Sequence, residues 1–116
     1  MLIAEEYGFK QLTVMFLQNI GYAYKNMQEL RKSNSFYERC LKISNEISSR
    51  YNIALSLHNL GSNYQEMEEH TTAKIYFESA LKIYSKIFQR NHGHILKVQR
   101  GLRMVAASMN RAAINA

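Results

Sequence analysis

Proline, tryptophan and aspartate are absent from this chain, and cysteine occurs once. Without proline no helix is kinked or stopped by a ring, so breaks must come from other turn chemistry. With Cys40 alone no internal disulfide forms, and a reducing compartment such as the cytoplasm is expected. No apolar run approaches the roughly 20 residues of a membrane span. The first ten residues, MLIAEEYGFK, carry acid where a signal peptide carries base. A soluble cytoplasmic chain without a membrane partner is the expectation. Glycine is sparse, and none of it forms a phosphate-cradling loop or a nucleophile elbow; no zinc motif is present either.

Acid is missing from the C-terminal third. Residues 1–78 hold eight Lys/Arg and all nine Glu, whereas residues 79–116 hold seven Lys/Arg and no acid. Lys97, Arg100, Arg103 and Arg111 recur near helical spacing, as a solvated basic helix would place them. The other reading is a basic patch for an acidic partner or nucleic acid. No aromatic residue follows Phe88, so the segment lacks a stacking platform and nucleic acid is the weaker option.

What is present favours helix. The chain is 47% hydrophobic and 21% charged, as a folded domain is. Its 116 residues suit a single domain. Gly21, Gly61 and Gly101 stand 40 residues apart. LQNIGYAYKNMQE at 17–29 repeats as LHNLGSNYQEMEE at 57–69, and FYERCLKI at 36–43 as YFESALKI at 76–83. Leu17, Ile20, Gly21 and Tyr24 fall at i, i+3, i+4 and i+7, as do Leu57, Leu60, Gly61 and Tyr64. A second stripe runs through Tyr37, Cys40, Leu41 and Ile47, and again through Phe77, Ala80, Leu81 and Ile87. Each unit therefore reads as two helices. A glycine inside a helix costs about 1 kcal/mol against alanine, so its recurrence signals close helix approach. The turns NMQE and EMEE contain neither Gly nor Pro, and only the shift of the stripe argues for a break there.

These residues resemble the tetratricopeptide repeat. Residues 54–87 meet its pattern with Leu57, Leu60-Gly61, Tyr64, Ala73, Phe77 and Ala80; residues 14–47 meet it more loosely with Leu17, Ile20-Gly21, Tyr24, Ser33, Tyr37 and Cys40. The usual proline is replaced by Asn45 and Ser85, and the spacing is 40 rather than 34. Both departures are similar to the longer-repeat branch of kinesin light chains, Pins/LGN-type adaptors and bacterial peptide sensors. The resemblance implies an all-α solenoid of antiparallel helix hairpins, about two and a half repeats long. Residues 1–9 align with the tail of a preceding second helix. Repeats follow at 14–47 and 54–87, and 94–116 is a degenerate third copy or capping helix. Both ends then lack their usual neighbour: either the chain is a piece of a longer array, such as a larger regulator, or the open faces pair between copies.

The resemblance also implies a non-catalytic scaffold that holds a protein or extended peptide on a concave wall of first helices. That wall would present Met15, Gln18, Asn19, Tyr22, Lys25 and Asn26 from the first unit. Leu55, His58, Asn59, Ser62, Gln65 and Glu66 would follow, then Ile95, Val98, Gln99 and Leu102. Asn19 and Asn59 are the favoured pair, because an amide offers both donors and an acceptor to a peptide group; the alternative is that both bond to neighbouring helices. A basic-and-asparagine clamp for chaperone tails is not expected, since its places hold Gln18, Tyr22, Asn59, Ile95 and Gln99. No enzyme, cofactor or metal is expected. His92 and His94 give only two of the ligands a tetrahedral site requires, and RNHGH resembles an inter-repeat loop. Cys40 takes the small core position matched by Ala80, which points to burial rather than a nucleophile. Glu66, Glu68 and Glu69 read as a solvated turn.

Overall fold

The computed structural model describes residues 3–115. Among them the regular elements are α1 (Ala4–Asn26), α2 (Leu30–Glu46), α3 (Arg50–Glu66), α4 (His70–Ile87) and α5 (Gly93–Asn115). The class is all-α, a solenoid of two hairpins and a terminal helix. Hairpin α1/α2 stacks on hairpin α3/α4 through α2 and α3, and α5 lies on α4 and touches α3. The radius of gyration is 15.1 Å and the extents are 54 × 33 × 20 Å. A compact chain of this length would have a radius near 13 Å, so the array is drawn out along its stacking direction.

One boundary differs from the sequence expectation. Residues 4–9 are not a separate tail: they run without a break into 14–26 as one 23-residue helix. No proline interrupts the segment, and Gly8 stays helical with open space around it. Met1 and Leu2 of the expected tail, and Ala116 of the terminal segment, lie outside the described residues.

The glycine-free turns use left-handed residues. Gln28, Ser48 and Glu68 have φ of 60, 53 and 62°. Glu29 N–H donates to Tyr24 O at 2.9 Å, Ser49 N–H to Ser44 O at 3.0 Å, and Glu69 N–H to Tyr64 O at 2.9 Å. These bonds satisfy carbonyls that a helix end leaves orphaned. Each left-handed side chain costs about 1 kcal/mol, which the turn's hydrogen bonds offset. The same device thus serves within and between hairpins. The last connection departs from it: Phe88 is extended at φ −129°, and five residues (88–92) link α4 to α5, against three (47–49) between α2 and α3.

Packing repeats with the sequence. A Cβ built on Gly21 would lie 2.7 Å from the Tyr37 ring, and one on Gly61 2.9 Å from the Phe77 ring. Tyr24 stacks on Phe36 and Tyr64 on Tyr76, both with centroids 5.4 Å apart. Phe77, Leu60 and Val98 are buried, each worth about 1.5–3 kcal/mol. The seam between the hairpins is polar. Buried Asn63 donates to Ser33 Oγ at 2.8 Å and Asn34 Oδ1 at 2.9 Å, while Ser33 Oγ donates to Gly21 O at 2.7 Å.

Candidate functional site

Helices α1 and α3 bring their predicted wall residues together. Asn59 Nδ2 donates to Gln18 Oε1 at 3.0 Å, and Gln18 Nε2 donates to Ser56 Oγ at 3.2 Å. Lys25 Nζ donates to Ser62 Oγ at 2.9 Å and lies 3.7 Å from Glu66 Oε1. Asn59 therefore does bond to a neighbouring helix, but its Oδ1 takes no hydrogen bond among the described residues. Asn19 is exposed and makes no side-chain hydrogen bond there; Asn26 is exposed as well. Met15 and Tyr22 are 61% and 60% exposed, an unusual state for such large side chains. Leu55 is half-buried.

His58 is the first correction. It belongs to an aromatic cluster rather than to the open wall, with its ring 5.8 Å from Phe77 and 6.5 Å from Tyr84. Its Nδ1 is buried without a partner. Burial pushes its pKa down to about 4, helped by the charges of His94, Lys25 and Lys97. Lys25 comes from α1 and Lys97 from α5, so a cation from each side bears on the α3 imidazole. His92 and His94, read as plain loop residues, extend this cluster: His92 stacks on Phe88 at 3.8 Å and His94 on Tyr84 at 5.1 Å. Burial, then the charges of His92 and Lys97, lower the pKa of His94. Cys40 is buried with its Sγ 3.6 Å from Val14 O, and burial raises its pKa to about 12. That thiol is protonated near neutrality and unreactive.

The terminal helix carries the larger correction. Ile95 and Val98 are buried, Leu102 packs against the core, and Gln99 sits half-buried at the α4 junction beside Ser85 and Phe88. None of these four stands on the wall. On α3 the face against α2 is Ser56, Leu60 and Asn63. On α5 the docked face is Val98, Leu102 and Val105, 42 residues further on. The polar contacts carry the same offset: Lys25 meets Glu66, and Gln65 Nε2 donates to Ser108 Oγ at 3.1 Å. The longer connection after α4 supplies the two extra residues. Counted in this register, the places that Leu55, His58 and Ser62 hold on α3 fall to Lys97, Arg100 and Met104 on α5, all exposed. The clamp places assigned to Ile95 and Gln99 are held by Lys97 and Gly101, which adds one base and leaves the set incomplete.

Lys97, Arg100, Arg103 and Arg111 are all exposed on α5, and none has an ion-pair partner among the described residues. Arg111 Nη2 donates to Ser108 Oγ at 3.2 Å. Arg103 takes the place of Gly61, the residue that on α3 faces its own second helix, so it points off the open end. Asn63, which bolts α3 to α2, escaped the sequence reading. Its only signal is an asparagine at a buried helical position, and that signal appears only once the stripe's rotation is known.

A family model described as tetratricopeptide repeat matches residues 12–86, which takes in both hairpins. Among curated proteins, none matches the chain.

Proposed function

The chain belongs to the tetratricopeptide repeat family, whose domains mediate protein–protein interactions, and we propose that it holds a partner polypeptide in extended form along the wall of α1, α3 and α5. The observation that carries this reading is the amide row across α1 and α3. Gln18 and Asn59 fix each other, Asn59 keeps a carbonyl oxygen to spare, and Asn19 is wholly uncommitted. An amide held by its neighbour presents its remaining acceptor at little entropic cost, and an extended backbone supplies matching N–H groups. Met15 and Tyr22 beside the row offer apolar surface for side chains. The spacing of 40 residues, lengthened to 42 at α5, favours the branch of the family with long repeats. The role we assign is that of a non-catalytic scaffold: Lys25, the one amine beside a wall hydroxyl, is held by Ser62 and Glu66 as part of the α1–α3 contact.

The test uses random peptides displayed on phage and selected against the whole chain. Asn19→Ala with Tyr22→Ala removes two exposed wall groups, so stability stays within about 0.5 kcal/mol. Binding of selected peptides is expected to weaken by about tenfold or more, on the order of 1.4 kcal/mol. Lys74→Ala, on the exposed side of α4, serves as control. Peptides that lose affinity to the Lys74 variant while ignoring the wall variant would place the binding face elsewhere.

A further inference from the structure

We infer that the polypeptide seated on this wall is acidic where it crosses α5, its carboxylates meeting Lys97 and Arg100. The inference rests on the wall reading above and adds the partner's chemistry to it. In the spacing set by Gly21, Gly61 and Gly101, the third helix would offer apolar and amide groups to the wall. The two-residue shift of α5 packs those against α4 and gives the exposed Lys97 and Arg100 the places that Leu55 and His58 hold on α3. Three cations then line it, Lys25, Lys97 and Arg100. Its one facing carboxylate, Glu66, is already beside Lys25 at 3.7 Å. Neither Lys97 nor Arg100 has a counter-ion among the described residues, and no acid follows Glu78 in the chain to supply one.

Uncompensated cations on a partner-facing surface select against bases and favour carboxylates, through both encounter rate and register. An acidic polypeptide fits better than a nucleic acid. Tyr22 stands on α1, away from the basic helix, and Tyr51 beside α5 is already engaged edge-on with Phe88 and His94, whereas a single strand would need free aromatic faces among the bases on which to stack. The uncommitted Asn19 amide and the spare carbonyl of Asn59 match a peptide backbone.

The same displayed library decides the matter. Its peptides are about a dozen residues long, enough to cross three helices spaced about 10 Å apart in extended form. Selection on the native chain is expected to enrich Asp and Glu over the input library. Lys97→Glu with Arg100→Glu is expected to abolish that enrichment and to weaken a selected acidic peptide by about tenfold or more. Arg103→Glu, off the wall, is expected to leave both intact. Because all three substitutions are at exposed positions, circular dichroism of each variant will match the parent. Selected peptides without acid enrichment overturn the inference, and if they still depend on Asn19 and Tyr22 the wall reading survives it. Acid enrichment that persists in the Lys97/Arg100 variant, or is lost equally in the Arg103 variant, also overturns it. A single-stranded oligonucleotide that displaces the peptides at stoichiometric concentration would replace the acidic polypeptide by nucleic acid as occupant. A selection that yields no binder at all ends both readings.

Discussion

Replacing Gly61 or Gly101 by alanine drives a methyl carbon to 2.9 or 2.7 Å from the Phe77 ring, which is gripped between α3 and α5. The ring is buried and has no room to move, so overpacking outweighs the roughly 1 kcal/mol that alanine gains in helix propensity. Each variant is expected to lose about 1–2 kcal/mol in urea unfolding. Gly8→Ala reverses the sign: nothing lies within 4 Å of the added carbon, and a gain of about 0.5–1 kcal/mol is expected. If Gly8 and Gly61 respond alike, close approach is not what the repeated glycines are for. His58 acts at the same scale. Its imidazole stays neutral in the native state down to about pH 4, whereas the unfolded chain takes up the proton near 6.5. Above 6.5 both states are neutral and stability is flat. As pH falls from 6.5 towards 4 the unfolded state binds a proton that the native state refuses, so stability drops, by at most about 3 kcal/mol. His94 contributes in the same direction. His58→Phe keeps a flat ring against Phe77 and Tyr84, and melting curves across this range should lose most of their slope. An unchanged slope in that variant would move the effect to other groups.

At the scale of elements, the connection after α4 fixes which side of α5 meets the wall. A helix turns about 100° per residue, so two additional linker residues bring the opposite face to the docking position. Deleting Asn91 and His92 restores a three-residue link and places Val98, Leu102 and Val105 forty positions after Ser56, Leu60 and Asn63, the spacing by which α3 docks on α2. Helix α5 is therefore expected to stay docked on the same face, since the face carrying Arg100 and Arg103 would enter the apolar junction only at a penalty of several kcal/mol. Hydrogen exchange of amides in 95–110 should then stay slow, as in α1 to α3. Loss of protection over 95–110 would mean that the five-residue link is itself needed to seat the helix. The polar seam through Ser33, Asn34 and Asn63 plays the corresponding part between hairpins. Its hydrogen bonds demand one alignment of α3 on α2, where an apolar seam would tolerate several.

Over the whole molecule, the two open ends differ in kind. At the α1 end Phe9 and Phe16 are 71% and 66% exposed, with Leu12 and Ile20 on the same face. This is the face by which α3 docks on α2 and α5 docks on α4. At the α5 end Arg103 keeps the surface charged and solvated. Self-association, where it occurs, is therefore expected through α1. Sedimentation at tens of micromolar should show species larger than the monomer. Phe9→Lys with Phe16→Lys should return the chain to monomer with its melting temperature unchanged. A double variant that sediments like the parent would exclude α1 as the contact.

The repeat of glycine and aromatic residues was legible in the sequence because Gly21 and Gly61 each meet a ring sixteen positions later in their own hairpin, a contact set by one turn and two helix pitches. For the same reason the class of fold and the two hairpins could be read without coordinates. Three things could not. The left-handed Gln28, Ser48 and Glu68 gave no glycine signal, since hydrogen bonds hold them there. The bonding of Asn59 to Gln18 depends on how far apart two helices settle. The rotation of α5 was written in the stripe Ile95, Val98, Leu102 and Val105, yet Gly101 pointed to another register. Only docking on α4 chose between the two: burying the aliphatic face is favourable, burying the arginines is not, and that difference exists only when the helices meet.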